Sequence, residues 1–204
     1  ISVHLRSQPG DRFAHIRISQ FYPNTPDALK DMVLKAIEDG SEGIILDLRN
    51  NDGGTLDSVI NIASLFLRKN DDLVLYVEKG DGSRTNWQVR HELTIADEIP
   101  LVMLINERSA SSSEVLAGAL QDHERATIIG EISFGKGSVN ILRPLSNGGG
   151  LYITIAHWHT PNGRQIHGKG ITPDIEITHR DSREKDVLQL KAAMNELERI
   201  LDSS

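Results

Sequence analysis

The chain has no cysteine, few aromatic residues, no long hydrophobic run and fewer basic than acidic residues. Without cysteine it can form no disulfide, thiolate metal site or cysteine nucleophile, although this absence is compatible with both export and the cytosol. No apolar run approaches the roughly 20 residues that a membrane-spanning helix requires. The net charge of −7 argues against a nucleic-acid partner, because proteins that bind nucleic acid usually present a basic face.

The remaining composition is that of an ordinary globular domain, with 38% hydrophobic and 25% charged residues over 204 positions. That length can enclose one substantial core, and no repeat, low-complexity tract or linker divides it. We therefore expect a single domain over residues 1–204. Nucleotide binding is not indicated, because no GxGxxG follows the first strand and FGKGS lacks the upstream glycine of a phosphate loop.

Hydrophobic spacing predicts alternating strands and helices along the chain. Residues 42–49 form a nearly continuous apolar run, which is typical of a strand buried on both faces of a sheet. One helix is expected to start with Thr25 as N-cap and Pro26 at its first position, and the last helix with Asp181 and Glu184 as a capping box. This order predicts an α/β fold with a largely parallel sheet. The other predicted strands are 13–19, 73–78, 99–106, 126–131 and 150–158.

A serine cluster opens the helix that follows the strand at 99–106. Its members are Ser109, Ser111, Ser112 and Ser113. A single lysine, Lys136, stands between two glycines 25 positions (136 − 111) after Ser111. Serine attacks a carbonyl carbon only when a base accepts its proton, and lysine is a recognised base in serine–lysine pairs.

A lysine acts as a base only when it is neutral. Its ordinary pKa of about 10.4 must then fall by roughly 3 units, through apolar enclosure and positive neighbours. Phe134 and Val139 flank the glycine turn and are compatible with an apolar enclosure of Lys136. Acyl transfer also needs N–H donors for the oxyanion, and the candidates are the amide of Ser112 and the Gly53-Gly54 turn.

Ordinary structural explanations compete with this interpretation. Serines at a helix start often serve only as caps, and a Gly-Lys-Gly turn is usually a solvated surface turn. His157 and His159 share one face of a strand, but a metal site needs a third ligand, so we expect no metal. Two SxxK matches, at 133–136 and 182–185, lie in a glycine turn and a helix cap, and we interpret both as accidental.

Four long motifs resemble those of the C-terminal processing peptidases, or tail-specific proteases, a family of serine–lysine endopeptidases. They occur in the family's order over most of residues 13–175. They read ILDLRNNDGG, SASSSEVLAGALQDHERATIIGE, SFGKGSVN and TPNGRQIHGKGITPDI. The resemblance implies a fold of the ClpP/crotonase type, with stacked β-β-α units.

The resemblance also implies a role for each matching residue. Ser111 would be the nucleophile and Lys136 the general base, and Asn140 stands where the family has a glutamine that orients the lysine. Asp122 matches an acidic position that supports the site rather than reacting. The oxyanion hole would use the amides of Ser112, Gly53 and Gly54, and Asp52 replaces a proline of the family pattern.

The expected activity is cleavage of protein substrates near their C-termini through an acyl-enzyme, without a metal or other cofactor. Expected partners are proteins or peptides with exposed C-termini, and the amphipathic last helix is compatible with a homo-oligomer. The family resemblance implies an extracytoplasmic location. No segment resembling the family's PDZ domain is visible, so we expect a protease core alone. The alternative is a catalytically silent peptide- or lipid-binding module on the same fold, similar to the retinoid-binding domains of vertebrate photoreceptors.

Overall fold

The computed structural model describes residues 2–8, 10–68, 73–96 and 98–203, without the side chain of His91. The first sheet has the strand order β1-β2-β3-β6-β7-β10, and every neighbouring pair except β1 and β2 is parallel. The predicted α/β fold with a largely parallel sheet is thus confirmed. The strands of this sheet are β1 (Val3–Leu5), β2 (Phe13–Ile18), β3 (Gly43–Asp47), β6 (Leu101–Ile105), β7 (Thr127–Gly130) and β10 (Ile175–Glu176).

Helices cover both faces of this sheet. All five residues of β3 and all five of β6 are buried, as the continuous apolar run at 42–49 predicted for the first of them. Ala193 and Leu197 of the last helix pack on one face against Ile45, Val102 and Leu104. The larger cluster on the other face includes residues from the first three helices. The helices are α1 (Thr25–Glu38), α2 (Leu56–Phe66), α3 (Ser112–Asp122) and α4 (Ser182–Asp202), with a short 3-10 helix at His91–Leu93.

A second, antiparallel sheet has the order β5-β4-β9-β8. The predicted strands at 73–78 and 150–158 correspond to β4 and β9. β5 and β8 were not predicted, because neither carries the regular apolar alternation of a half-buried strand. Both are edge strands of this sheet, and pairing with one neighbour rather than burial keeps them extended. The strands are β4 (Leu73–Lys79), β5 (Arg84–Gln88), β8 (Ser138–Pro144) and β9 (Gly150–His159).

The two predicted helix starts differ in outcome. Asn24, not Thr25, occupies the N-cap of α1, since the buried hydroxyl of Thr25 instead accepts from the Tyr22 amide at 2.9 Å within the helix start. Asp181 caps α4 as predicted and accepts from the amides of residues 183 and 184. The capping box is wrong in its second half, because the Asp181 amide donates to His179 and the Glu184 carboxylate lies 3.3 Å from His179 Nε2.

A buried ion pair joins the end of β3 to α4. The Asp47 carboxylate accepts from Arg49 Nη2 at 2.6 Å and Nε at 2.9 Å, and it lies 3.1 Å from His15 Nε2. Arg49 Nη1 continues to the carbonyl of Asp186 on α4 at 3.0 Å. Burial raises the pKa of Asp47, but hydrogen bonds from Arg49 and His15 outweigh it and hold that pKa well below its usual range. The strand end that precedes the NNDGG turn is therefore fixed electrostatically.

We predict that Asp47→Asn lowers the free energy of unfolding at pH 7 by about 3 kcal/mol, because it leaves the buried Arg49 guanidinium without its carboxylate. Since the folded pKa of Asp47 is depressed, its contribution is fully present well above the unfolded pKa near 3.9 and is lost progressively as pH falls from there toward the lower folded pKa. In urea unfolding between pH 2.5 and 7, the free energy of unfolding should fall less steeply at acid pH in the variant than in the wild type. Asp31→Asn, at an exposed position on α1, is the control. The same pH dependence of the free energy of unfolding in Asp47→Asn and the wild type would contradict this account.

Candidate active site

Ser111 differs from its neighbouring serines in backbone and exposure. It occupies the N-cap of α3 with φ 57° and ψ −115°, a conformation that costs a non-glycine residue energy and is often found at functional sites. Ser111 is half-buried, whereas the other three serines are buried. Their hydroxyls donate to backbone carbonyls, at 2.9 Å for Ser109 to Leu48, 3.0 Å for Ser112 to Gly54 and 2.9 Å for Ser113 to Asn51.

The NNDGG turn, residues 50–54, packs directly against Ser111. Gly53 has φ +107°, and a Cβ on it would lie 2.8 Å from the Cβ of Ser111 and 3.0 Å from the amide nitrogen of Ser112. Only glycine allows both this backbone conformation and this approach. The side chain of Asn51 holds the turn, donating to the carbonyl of Ile18 at 2.8 Å and accepting from the amide of Gly53 at 2.9 Å.

The three predicted oxyanion donors are not equivalent. The amide of Gly53 is already bonded to the Asn51 side chain. Among the described residues, no acceptor is bonded to the amide of Ser112 or to that of Gly54. The hydroxyl of Ser112 bonds to the carbonyl of Gly54, so these two residues are held side by side. Two of the three predicted donors are therefore available to a ligand.

A buried glutamate that sequence reasoning missed joins the two halves of the site. Glu114, in the first turn of α3, has no exposed surface. Its Oε2 accepts from the amides of Ser111 and Lys136, each at 2.8 Å. Its Oε1 accepts from the amide of Gly135 at 2.5 Å and from the hydroxyl of Ser133 at 2.6 Å. The spacing of serine and glutamate in a capping box would have indicated the bond to Ser111, but nothing local indicates the bonds to the lysine turn.

The glycines around Lys136 are required by close backbone contacts. A Cβ on Gly137 would lie 2.3 Å from the amide nitrogen of His167, and Gly135 has φ +88°. The carbonyl of Gly137 accepts from the amide of Trp158 on β9 at 2.7 Å, and that of Gly135 from Gly168 at 2.9 Å. The turn at residues 135–137, here called the lysine turn, therefore contacts both α3 and the segment that follows β9.

The Lys136 side chain is exposed, so the apolar enclosure expected from the sequence is not present. The reason is that Phe134 is 65% exposed and Val139 only half-buried. Among the described contacts, no hydrogen bond joins Lys136 Nζ to Ser111 Oγ. Lys136 instead borders an open hollow of about 510 Å³. The hollow is also lined by Ser19, Gln20, Asn50, Asp52, Arg108, Ala110 and Phe134.

Asn140 hydrogen-bonds within the second sheet. Its Nδ2 donates to Ser138 Oγ at 3.0 Å, and its Oδ1 accepts from Thr154 Oγ1 on β9 at 2.6 Å. The β8–β9 register shifts between Val139 and Asn140, which places this side chain opposite Thr154. The expected contact between Asn140 and Lys136 is not made here, and the residue's role remains a prediction.

Asp122 lies at the far end of α3. It pairs with Arg164 and accepts from the amide of Asn162 at 2.8 Å, so it fastens the segment after β9 to α3. Its supporting role also remains a prediction.

The other sequence candidates have structural contacts. The Ser133 hydroxyl donates to Glu114 and accepts from the amide of Ile171 at 2.7 Å. Lys185 Nζ lies 2.7 Å from Glu131. Within the part of the chain that the structure describes, no three His, Asp or Glu side chains are placed to hold a metal ion. No described helix is long and apolar enough to cross a membrane.

We predict that Glu114→Gln lowers the free energy of unfolding by roughly 2–4 kcal/mol, because the amide NH2 would face N–H groups that now donate to a carboxylate oxygen. Thermal unfolding at pH 7 measures this loss, and hydrogen exchange should report faster exchange of the amides of Ser111 and Lys136. Glu38→Gln, at an exposed position near the end of α1, is the matched control. Equal stability of both variants would mean that the Glu114 contacts contribute little.

The chain is similar in sequence to known proteins. The model of peptidase family S41 matches residues 12–177. A probable CtpA-like serine protease of Staphylococcus haemolyticus is 40% identical over 178 residues, which is 86% of this chain and 36% of that protein. A carboxyl-terminal-processing protease of Synechocystis is 42% identical over 168 residues, covering 82% and 38% respectively.

The chain is also similar to a solved structure. The photosystem II D1 C-terminal processing protease superposes with a TM-score of 0.77 at 29% identity, covering 93% of this chain and 52% of that one. The chain spans little more than a third of the two sequence relatives. A family model that covers most of the chain and relatives of about 40% identity together establish its family. The chain belongs to peptidase family S41.

Proposed function

We propose that this chain is the core of a serine endopeptidase in which Ser111 is the nucleophile and Lys136 the general base. The observation that carries the proposal is the Glu114 carboxylate, which binds the backbone amides of both residues at 2.8 Å. Acyl transfer requires a nucleophile, donors for the oxyanion and a base. The site offers a strained serine at a helix start, two amides for which no acceptor is described, and a lysine turn fixed to the same helix.

The proposed reaction proceeds through an acyl-enzyme. Ser111 Oγ attacks the carbonyl carbon of the scissile peptide while neutral Lys136 Nζ accepts the hydroxyl proton. The amides of Ser112 and Gly54 donate to the oxyanion. When the C–N bond breaks, Lys136 returns the proton to the leaving amine. Water then attacks the ester carbonyl carbon while Lys136 accepts its proton, and when the C–O bond breaks Lys136 gives that proton to Ser111 Oγ, which restores the hydroxyl and the neutral amine.

The reacting side chains still have to come together. The backbone amides of Ser111 and Lys136 bind the same carboxylate oxygen, which keeps the two residues near each other, and we propose that rotation of the lysine side chain brings Nζ to the serine hydroxyl. Catalytic hydrogen bonds are often long in unliganded enzymes and shorten when substrate binds. A substrate lying in the hollow beside Lys136 would also exclude water, and desolvation favours the neutral amine.

The substrate class is proposed from the relatives. Two of them are named for processing carboxyl termini, and we propose that this chain likewise acts on proteins or peptides with exposed C-termini. We further propose that residues 1–204 form one protease core that works outside the cytoplasm without a cofactor. The silent binding module is less well supported, because a binder needs neither the strained Ser111 nor the fixed lysine turn.

Ser111→Ala and Lys136→Ala should each reduce cleavage of an unfolded protein substrate by about 10⁴-fold or more, since either change removes one member of a pair that acts as a unit. Turnover of a fluorescently labelled, reduced protein measures this effect, with thermal unfolding to check the fold. Ser83→Ala and Lys191→Ala, both at exposed positions, should retain activity. If either active-site variant cleaved at a normal rate, that residue's assignment would be wrong.

The rate should rise toward alkaline pH, because only the neutral form of a lysine base can accept the serine proton. The measurement is kcat/KM between pH 6 and 10, within the range where the folded fraction is constant. Labelling of Ser111 by a fluorophosphonate probe should follow the same profile, since the same base activates the hydroxyl. An acid optimum, or failure of the probe to label Ser111, would argue against a serine–lysine pair.

A further inference from the structure

The β8–β9 hairpin exposes more large apolar side chains than its neighbours in the sheet. Leu142 is 67% exposed and Tyr152 73% exposed. The exposed large hydrophobic residues of the hairpin are Ile141, Leu142, Leu145, Leu151, Tyr152, Ile153 and Ile155. Such a concentration on one protruding element indicates an interaction surface, because single exposed apolar residues are common but contiguous patches are not.

Both faces of the hairpin carry these residues. Leu142 pairs with Tyr152, so the two side chains lie together on one face. Ile141 pairs with Ile153 and lies with it on the opposite face. A partner that lies along the edge of the hairpin can contact both faces, whereas a flat surface would cover only one. The arrangement therefore favours a partner in extended conformation.

The outer edge of β8 is also open to backbone pairing. Among the strands that the structure describes, β8 has β9 as its one neighbour, so a row of its N–H and C=O groups faces away from the sheet. Folded proteins usually protect such an edge with charges or proline, but β8 has only Arg143 and Pro144, both at its far end. At the opposite end of the same sheet, β5 reads Arg-Thr-Asn-Trp-Gln and is mostly polar.

Position and charge identify the kind of partner. β8 begins at Ser138, two residues after Lys136, so a chain lying along it would lead to the proposed catalytic base. No acidic residue occurs between Glu131 and Asp174, although the protein has a net charge of −7. This segment carries four basic residues, Lys136, Arg143, Arg164 and Lys169, of which Arg164 is paired with Asp122. The surface therefore suits a neutral or acidic segment better than a basic one.

We propose that the outer edge of β8 is an exosite, a binding surface beyond the reacting groups, that takes an unfolded polypeptide substrate as an added strand. Backbone hydrogen bonds would hold the strand independently of its sequence, and the apolar side chains on both faces would select hydrophobic segments. The seven residues of β8 extend the contact by roughly 23 Å beyond the lysine turn. The identity of the occupant as substrate rests on the proposed function.

Binding to the Ser111→Ala variant tests the exosite without turnover. The probe is a fluorescently labelled 14-residue peptide, apolar and acidic, with a second peptide carrying lysines at its acidic positions. Adding Leu142→Ser and Tyr152→Ser should weaken binding of the first peptide roughly tenfold, since each loses apolar contact area. Val187→Ser, at a 67% exposed apolar residue of α4, should leave binding unchanged. Thermal unfolding confirms that each variant is folded.

Hydrogen exchange distinguishes strand addition from other contacts. Bound peptide should slow exchange of amides in β8 but not in β5. Protection of β5 alone, no protection of β8, equal affinity for the lysine peptide or an equal loss in Val187→Ser would each overturn the exosite. So would sedimentation showing a dimer that the Leu142→Ser and Tyr152→Ser changes dissociate, since the surface would then belong to a second copy. If the wild-type chain neither cleaves protein nor reacts with the serine probe but β8 is still protected, the exosite stands and the proposed catalysis fails.

Discussion

One buried carboxylate determines the geometry of the candidate site. Glu114 bonds the backbones of Ser111 and Lys136, which are separated by 25 positions (136 − 111), so neither residue can move far without the other. A carboxylate suits this position because its two oxygens accept four donors at once. Its negative charge also lies in the first turn of α3, where the helix dipole stabilises an anion.

The parallel sheet explains why these segments meet. The loops that follow β3, β6 and β7 leave the same edge of the sheet, because the strands run in the same direction. Asn50 and Asn106 bridge the first two loops: the Asn50 amide donates to Asn106 Oδ1 at 2.9 Å, and Asn106 Nδ2 to Asn50 Oδ1 at 3.1 Å. The Phe134 amide joins the third loop by donating to the carbonyl of Ser109 at 3.0 Å. The site is therefore assembled by strand direction and fixed by backbone hydrogen bonds.

The second sheet supplies the surroundings of the site and accounts for most of what sequence reasoning missed. Burial gives β3 and β6 a clear apolar signal, whereas β5 and β8 are held by pairing with one neighbour and have no such signal. The same sheet engages the side chain of Asn140 through Thr154. The apolar residues near Lys136 in the sequence suggested that its side chain is enclosed. Enclosure depends on the direction of the Phe134 side chain, and that side chain faces solvent.

The sequence by itself determined the α/β class, the buried strands, the glycine turns and the motifs that select Ser111 and Lys136. The class, the strands and the turns follow from local rules, namely apolar periodicity and the conformational freedom of glycine, whereas the choice of Ser111 among four serines rests on the resemblance of its motif to the family's. Only the tertiary structure decided that Glu114 connects the two residues, that Gly54 rather than Gly53 has an available amide, and that β8 is an open edge. The reason is physical: each of these depends on hydrogen bonds between segments distant in the chain, and such partners exist only after the sheets have formed.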